Sequence, residues 1–562
     1  MDMSIWFLLG AVLVFFMGAG FAMVETGFTR AKNAGNIIMK NFMDFCIGTI
    51  FFVFLGYGIM NSENYLFGLI GMPTYQMFTD FNNFNWSNFF FQLVFCGTCA
   101  TIVSGAMAER TKFSTYCVYS AIISAVVYPI EAGWVWNAQG WLAQIGFIDF
   151  AGSAVIHMVG GITAFVGAAL LGARIGKYGK DGSPRAVPGH AITLGALGCF
   201  ILWFCWYGFN GAAASDAVQL AQILSTTTLA PAAATLTVML FTWGKYGKPD
   251  VSMTLNGSLA GLVAITAGCA VADGLGAIII GVVSGFLVCF GVWFLDYKAH
   301  VDDPVGAVAV HGFNGVWGAL AVGLFDRTNG LFYGGGFTQL GIQILGVAAI
   351  AVYTFVVMFL VFKILKVTIG LRVPAEVEIQ GLDVHEHGLQ SAYADFMPAV
   401  STLSFNTPVE MSTAKVTGTA PMEEAVSVER KTRATVANDG VKLTKIEVYC
   451  NPAHFDTLKH ALEQIGITGM TVTNIMGCGA QRGSTGSYRG VKMHMTLLPK
   501  IRVDVVISKI PPQTVIEAAK QALYTGHVGD GKIFVYDVEN AIKVRTGATG
   551  YDALQDDVDL KS

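Results

Sequence analysis

Two histidines each stand eight residues after an aspartate, in stretches that are otherwise small and apolar. Residues 149–157 read DFAGSAVIH, and residues 303–311 read DPVGAVAVH. A neutral imidazole has one donor and one acceptor nitrogen, so two rings can bond to each other and leave their outer nitrogens for a small polar solute or a proton. A single buried histidine is more often a structural residue bonded to a backbone carbonyl. The repeated spacing favours a functional pair of His157 and His311.

The composition places this pair in a membrane. The chain of 562 residues is 54% hydrophobic and 13% charged, whereas soluble domains average about 25% charged. The net charge of −4 gives no indication of nucleic-acid binding, and the ten cysteines lack the spacing of a zinc site. We therefore expect a polytopic membrane protein.

Eleven apolar stretches are long enough to cross a bilayer core of ~30 Å as helices. They cover residues 5–28, 42–60, 86–108, 114–130, 152–172, 191–211, 222–243, 254–271, 275–294, 305–325 and 339–366.

Basic residues are concentrated in alternate loops between these spans. One set of loops carries Arg30, Lys32, Lys40, Arg110, Lys112, Arg174, Lys177, Lys180, Arg185, Lys245, Lys248 and Lys298. The other set carries only Arg327. Because cytoplasmic loops are enriched in Lys and Arg, we expect the N-terminus outside and everything after residue 367 in the cytoplasm, with the protein in the inner, cytoplasmic membrane of a cell.

Asp149 and Asp303 stand at the start of the fifth and tenth spans, which then run in opposite directions. This arrangement predicts two inverted five-helix repeats, an architecture common in transporters. Eight helical residues rise ~12 Å, so His157 and His311, counted from opposite faces, both reach the middle of the membrane. Helix capping is the expected role of the two aspartates.

Aromatic residues collect on the outer side of the same layout: Phe91, Phe95, Trp134, Trp136 and Phe209. Aromatic faces can hold a cation, although an interfacial aromatic belt would have the same composition. No carboxylate ring or carbonyl filter is evident in the sequence. The pattern therefore favours a solute that can lose its charge before it enters the pore.

The composition changes after about residue 393. Residues 394–440 are rich in Ser, Thr, Ala, Glu and Pro, which is typical of a linker. Residues 441–552 alternate strand and helix patterns in the order β-α-β-β-α-β, which predicts an α+β ferredoxin-like domain. Residues 553–562 form a short tail.

Residues 4–393 closely resemble the Amt/Mep/Rh family of ammonium transporters. The motifs that carry the resemblance are VETGFTRAKN, FQLVFCGTCATIVSGAMAER, DFAGSAVIH, WYGFNG, VDDPVGAVAVHG and GLRVPAEVEIQGLDVHEHGLQSAY. The resemblance implies that residues 1–393 form the transporter domain and its cytoplasmic tail. It also implies a homotrimer with one pore in each subunit.

The same resemblance suggests roles for the aromatic residues and the histidines. Trp136 and Phe95 correspond to the outer ammonium-recruitment site, which Asp149 supports without being a direct ligand. Phe95 and Phe209 correspond to a stacked gate with Phe91 beside it. His157 and His311 correspond to the histidine pair that lines the pore.

One departure from the family lies at the entrance. Many bacterial members have a serine four residues after the gate phenylalanine, where this chain has Ala213. Ser215 comes two residues later. We expect weaker ammonium binding at the outer site, or binding through Ser215 after a local shift.

Residues 441–548 resemble P-II signalling proteins of the GlnB/GlnK type, through GITGMTVTNIMGCGAQRG, YRGVKM, LLPKIRVDVVI, TGHVGDGKIFV and KVRTG. Alone, GDGK at 529–532 is more often a plain turn. Within the resemblance, the residues expected to bind ATP or ADP are Gly477, Gly479, Gln481, Gly529, Asp530, Gly531, Lys532 and Arg545. Gln481 and Lys500 would bind 2-oxoglutarate, with Mg²⁺ held through Gln481 together with nucleotide and 2-oxoglutarate.

Residues 479–497 correspond to the long T-loop, in which Arg489, next to Tyr488, would block the cytoplasmic mouth of the pore. This chain has Met493 where many relatives have a modified tyrosine. It has Ala480, His527 and Lys543 where relatives have Arg, Lys and Arg. Each of these last three changes alters an expected phosphate contact.

The sequence thus predicts an ammonium transporter, with no enzymatic activity and no covalent cofactor, regulated by a fused P-II domain that contacts its cytoplasmic face. The alternative is an ammonium sensor that conducts little and signals through the P-II domain. The permanent fusion and Ala213 motivate this second hypothesis.

Overall fold

The computed structural model describes residues 3–389, 392–393, 442–467, 469–477, 485–488, 491–494, 498–526 and 530–554, with backbone only for those in 485–499. The chain divides into two compact units, Met1–Ala392 and Tyr393–Ser562. The predicted linker 394–440 and most of the tail 553–562 lie outside the described residues.

The first unit is helical, with a two-strand hairpin of β1 (Tyr65–Leu66) and β2 (Ile70–Gly71). Within its described residues, ten helices are long and apolar enough to cross a membrane. They are α1 (Met3–Phe28), α2 (Ala31–Met60), α3 (Trp86–Ala106), α4 (Phe113–Gln144), α5 (Ser153–Leu171), α6 (Ile192–Gly211), α7 (Ala217–Tyr246), α9 (Gly274–Ala299), α10 (Val308–Phe325) and α11 (Thr338–Thr368).

A shorter apolar helix, α8 (Val251–Thr266), occupies the position of the eighth predicted span. Two short helices follow the last span, α12 (Ala375–Gln380) and α13 (Leu382–His387). The sequence therefore located every long apolar helix, while the inverted five-helix repeat stays a prediction.

The start of the second span differs from the prediction. Helix α2 begins at residue 31 instead of 42, so Lys40 belongs to the span and is not a loop charge. Its side chain is buried, as are those of Asn41 and Asp44. Apolar periodicity misses residues 31–41 because polar side chains in this stretch find partners inside the protein, so the helix continues through them.

Helices α5 and α10 begin with matching irregularities. Ser153–Met158 and Val308–Phe313 are both π-helical, and each contains one of the two histidines. π-helical turns are rare and often occur at functional sites.

Two glycines let these helices cross closely beside the histidines. A Cβ on Gly161 would lie 2.2 Å from the backbone nitrogen of Gly312. A Cβ on Gly315 would lie 2.5 Å from the carbonyl oxygen of Ser153. Gly161 and Gly315 each follow a histidine by four residues, so the close approach occurs one helical turn beyond each ring.

The second unit has the predicted β-α-β-β-α-β order. Its strands β3 (Leu443–Cys450), β4 (Thr471–Gly477), β7 (Leu498–Ile507) and β8 (Lys532–Val538) form an antiparallel sheet in the order β4-β7-β3-β8. A separate hairpin joins β5 (Thr485–Tyr488) and β6 (Val491–His494). Helices α14 (Phe455–Gln464) and α15 (Pro512–Leu523) contribute Leu458, Leu462, Val515 and Ala519 to one core with the sheet.

Candidate functional site

The two histidines meet in the interior of the membrane unit. His157 Nδ1 lies 3.1 Å from His311 Nδ1, and the ring centroids are 5.2 Å apart. The exposed fractions of the two residues are 0% and 4%. One proton between the two Nδ1 atoms makes one ring a donor and the other an acceptor. In a neutral pair, the outer nitrogens then present one acceptor and one N–H donor.

The outer nitrogen of His157 is available for a solute. Its Nε2 is buried and has no hydrogen-bond partner among the described residues. An unpartnered buried polar atom is costly, so a hydrogen-bonding solute that reaches this position would be stabilised there.

Asp149 and Asp303 hold the two histidine segments in place as helix caps. Asp149 accepts hydrogen bonds from the N–H groups of residues 152–155, at 2.8–2.9 Å. Asp303 accepts from those of residues 306–308, at 2.7–3.1 Å. Gly152 and Gly306 stand three residues after each aspartate with φ of 105° and 85°, a backbone conformation that favours glycine.

Burial and the backbone hydrogen bonds have opposite effects on the pKa of these two carboxyl groups. Burial raises the pKa of Asp149, although its four backbone donors favour the ionised form. Burial likewise raises the pKa of Asp303 to about 6 against its backbone donors. The capping carboxylates are thus more basic than exposed aspartates.

A file of aromatic rings leads to His157. Phe95 and Phe209 stack with centroids 4.4 Å apart and an interplanar angle of 25°. Phe91 lies 4.4 Å from Phe95 on one side, and Trp136 meets Phe95 edge-on at 6.0 Å. The Phe209 ring is 5.4 Å from that of His157. The structure thus brings together all the residues predicted for the recruitment site, gate and pore.

Of Trp134 and Trp136, only Trp136 joins this row of rings. The Trp136 indole N–H donates to the carbonyl oxygen of Asp149 at 2.8 Å, which ties the aromatic file to the cap of α5. Trp134 donates to the Leu69 carbonyl oxygen and packs on Tyr353. Because Trp134 and Trp136 are two residues apart in a helix, they face different directions.

The alanine at position 213, where many family members have a serine, has a structural consequence. Ala213 is exposed and offers no polar group. Ser215 is exposed too, and its hydroxyl is 3.4 Å from a carboxylate oxygen of Asp216. Since Ser215 already has a partner, replacing the missing serine through a local shift would require breaking that contact.

Sequence reasoning missed two rings that enclose the histidines. Trp206 stacks on His157 at 5.1 Å, and Phe21 lies 6.0 Å from His311. Trp206 precedes Phe209 by three residues, a spacing that places both on one helix face and could have revealed it.

It also missed the buried polar residues of the first three spans. Glu25 accepts hydrogen bonds from Ser104 and Asn41, and Asp44 accepts from Tyr116 and Ser120. The presence of Glu25 inside an apolar span was the available signal, because intramembrane carboxylates usually have a functional reason.

An ion-pair network anchors the segment that leads to Asp303. Arg174 pairs with Asp302 at 2.8 Å and with Glu109 at 3.1 Å. Burial opposes ionisation of Asp302, but the hydrogen bonds and charge of Arg174 outweigh it and hold the pKa of Asp302 well below its usual range. This network fixes the entry to α10.

In the second unit, strand register collects predicted ligand residues at one end of the sheet. Lys532 pairs with Tyr449 near the end of β3, and Ile501, next to Lys500, pairs with Cys450. A Cβ on Gly477 would lie 3.2 Å from Lys500 Cδ, so the lysine stem lies across this glycine. Lys500 and Lys532 therefore flank the same end of β3.

Asp530 and Gly531, which precede Lys532, each have a structural role. The Asp530 carboxylate accepts hydrogen bonds from the backbone N–H and hydroxyl of Thr525. Gly531 has φ 135°, and a Cβ there would lie 2.1 Å from the Tyr449 carbonyl oxygen. Arg545 lies in an exposed turn after β8.

The remaining predicted ligand and T-loop residues cannot be placed in the same way. Gly479, Gln481, Arg489 and Gly529 lie outside the described residues. Tyr488 ends β5, but the description of that strand covers backbone only.

Both units of the chain match known protein families. Residues 5–393 match the Ammonium Transporter Family, and residues 443–548 match the Nitrogen regulatory protein P-II family. The chain is 44% identical over 421 residues to ammonium transporter Amt2 of Archaeoglobus fulgidus, covering 70% of this chain and 88% of that protein. A putative ammonium transporter of Synechocystis is 40% identical, with 68% and 88% covered.

Solved structures show the same architecture for the first unit. A structure described as a Sensor Amt Protein superposes with a TM-score of 0.65 at 38% identity, covering 68% of this chain and 98% of that one. Candida albicans Mep2 superposes with a TM-score of 0.61 at 25% identity, covering 66% and 86%. The chain is therefore a member of the ammonium transporter family, a transporter rather than an enzyme, that carries a P-II domain in residues 443–548.

Proposed function

We propose that the chain moves ammonium across the membrane by binding the cation at Trp136 and Phe95. The cation gives its proton to water on the outer side of the Phe95–Phe209 stack, and ammonia passes along His157 and His311. The observation that carries this proposal is the unbroken series of ring contacts from Trp136 to His311. In that series, aromatic faces that suit a cation give way to imidazole nitrogens that suit a neutral solute.

The proposed pore changes from aromatic rings to imidazole nitrogens along its length, and this change explains why the proton is lost at the phenylalanine stack. The Phe95 and Phe209 rings are buried and offer no hydrogen bond to replace the water around a cation. Taking an ammonium ion through such a constriction is far more costly than taking ammonia. The histidine pair then supplies an acceptor and a donor, which a neutral ammonia molecule can use together.

We propose that the P-II domain controls this flux from the cytoplasm. The lysines that flank one end of β3, Lys500 and Lys532, suit an anionic ligand such as a nucleotide phosphate or 2-oxoglutarate. In this proposal ATP or ADP, with 2-oxoglutarate and Mg²⁺ held through Gln481, sets the T-loop conformation. Arg489 then blocks or frees the cytoplasmic mouth of a homotrimeric transporter whose N-terminus is outside.

The pore is tested by ammonium-evoked current from the full chain in proteoliposomes. We expect His157→Leu and His311→Leu each to lose most of the current, because each leaves the other imidazole without its partner. His300→Ala removes an exposed histidine outside the pore and is the matched control. Wild-type current in both leucine variants would refute the histidine route.

Control is tested by adding ATP, ADP or 2-oxoglutarate with Mg²⁺ to the P-II side of the same vesicles. We expect the current to depend on these ligands in the wild type and to be independent of them in Arg489→Ala. A current that ignores all of them in the wild type would contradict regulation by the P-II domain.

A sensor with little flux is the second candidate, and one observation favours it: the similar structure is described as a Sensor Amt Protein. In this case the bound ammonium would be reported through the P-II domain. Removing residues 394–562 separates the two functions, because a pure sensor would show no saturable ammonium flux with or without them.

A further inference from the structure

Beyond His311, on the side away from the phenylalanine stack, lies a small cavity of about 20 Å³. Its walls are mostly apolar, but three polar side chains line it: Glu25, Asn256 and His311. A cavity needs about 10–15 Å³ to hold one water molecule. The space therefore takes a single particle of the size of water or ammonium.

Glu25 carries a carboxylate into this apolar wall. Its Oε2 accepts hydrogen bonds from the Ser104 hydroxyl at 2.7 Å and from the Asn41 amide at 3.2 Å. No hydrogen bond reaches Oε1 from the described residues, and only 2% of Glu25 is exposed. One carboxylate oxygen is thus fixed by neutral donors, while the other remains available to a ligand.

Nearby charges do not neutralise this carboxylate directly. Among the described residues, Glu25 takes part in no ion pair. Lys40 Nζ is 3.5 Å from the Ser104 carbonyl oxygen and lies over the Tyr116 ring, whose hydroxyl donates to Asp44. The charge of Lys40 acts on both Glu25 and Asp44, so one cation faces two carboxyl groups. A bound monovalent cation would balance the second negative charge.

Asn256 adds a second acceptor to the cavity. Its amide nitrogen donates to the Val305 carbonyl oxygen at 3.2 Å, and no donor among the described residues reaches its Oδ1. A Cβ on Gly306 would lie 2.7 Å from that amide nitrogen. The glycine that shapes the Asp303 cap thus also makes room for Asn256.

We propose that this cavity is a second ammonium-binding site, in which Glu25 is the counter-ion and Asn256 and His311 are hydrogen-bonding partners. The proposal rests on the proposed transport function: ammonia that leaves His311 takes up one proton from the water beyond the cavity and is held here as ammonium beside the Glu25 carboxylate. An ammonium ion has four N–H donors, and the Glu25 and Asn256 oxygens both accept.

The test uses the full chain in lipid and infrared difference spectra recorded while NaCl is exchanged for NH₄Cl at constant pH. We expect a carboxylate difference band in the wild type that is lost in Glu25→Gln, which keeps size and hydrogen bonding but removes the charge. Glu131→Gln is the matched control. Glu131 is as deeply buried in α4 as Glu25 is in α1 but does not line the cavity.

The same preparations give the ammonium-evoked current. We expect Glu25→Gln to lower it about tenfold or more, while Glu131→Gln stays near the wild type. Glu25→Asp keeps the charge one methylene further away and should retain the band at a shifted frequency and part of the current.

Four results would overturn the proposal: no carboxylate band in the wild type, a band that persists in Glu25→Gln, an unchanged current in Glu25→Gln, or an equal loss of current in Glu25→Gln and Glu131→Gln. The first needs no variant and so does not depend on how any variant folds. The band with no wild-type current would support the site and refute transport. A wild-type current that Glu25→Gln leaves unchanged would support transport and refute the site.

Discussion

The segments from Asp149 to His157 and from Asp303 to His311 share one backbone plan but have different neighbours. Each starts with an aspartate cap, turns at a glycine of positive φ three residues later and enters a π-helical turn that presents the histidine. His157 then lies against Trp206 and Phe209. His311 instead lies near Phe21 and opens onto the cavity that Glu25 lines.

This difference separates two tasks that a pore must perform. The shared plan depends on local sequence and presents each imidazole at the same point of its helix. The close helix crossing at Gly161 and Gly315 then brings the two Nδ1 atoms together. These neighbours come from α6 and α1. They make the side of His157 aromatic and place an acidic residue on the side of His311. The two histidine segments are alike in local structure, but the two sides of the pair therefore differ chemically.

The largest effect should come from closing the helix crossing beside the pair. Gly161→Ala would place a Cβ 2.2 Å from the backbone nitrogen of Gly312, where no side chain can move aside. We expect a loss of stability of about 3 kcal/mol or more. It should appear as a lower temperature at which the heated, purified protein no longer gives a monodisperse peak in size-exclusion chromatography. Gly341→Ala, with open space around its Cβ, should be neutral; equal losses would show that the crossing is not tight.

The next effect concerns the charge of the second cap. Folding raises the pKa of Asp303 to about 6, mainly by burial. The protonated form is therefore favoured in the folded state, and its stabilisation is full below about pH 4 and is lost as the pH rises through about 6. Between these limits the stability of the wild type relative to Asp303→Asn should fall by about 3 kcal/mol. A difference that is constant with pH would contradict this.

A smaller effect distinguishes the two caps by the number of N–H groups they bind. An asparagine keeps one acceptor, so Asp149→Asn loses two of its four backbone bonds, and Asp303→Asn loses one of three. At neutral pH, thermal unfolding should show Asp149→Asn to be the less stable variant by about 1–2 kcal/mol. The opposite order would mean that the two caps do not act in the same way.

The smallest effect tests the link between the aromatic file and the first cap. Trp136→Phe keeps a ring beside Phe95 but removes the hydrogen bond to the Asp149 carbonyl oxygen. We expect the half-saturating ammonium concentration to rise about two- to tenfold with little change in maximal current. Trp134→Phe, whose lost bond goes to Leu69, should leave both values unchanged, and a similar rise there would contradict the assignment.

Most of the helices could be predicted because a membrane span needs a long apolar run, and such runs are visible in one dimension. The start of α2 could not be predicted in this way, because Lys40 and Asp44 are polar residues that only their partners on α3 and α4 make compatible with burial. The meeting of the histidines was predictable from matched spacing. Trp206 and Glu25 carried signals, a three-residue spacing to Phe209 and a carboxylate inside an apolar span, but neither signal shows that the side chain lies beside the pair. The cavity gave no signal, because residues of several helices line it.

The sequence by itself determined the parts that depend on neighbours along the chain: the spans, the two aspartate caps and the strand order of the P-II domain. Periodicity and short-range hydrogen bonding set these features. Only the tertiary structure decided which residues surround the histidines. Contacts between residues such as Glu25, Asn256 and His311 depend on how helices pack, and no local pattern records that packing.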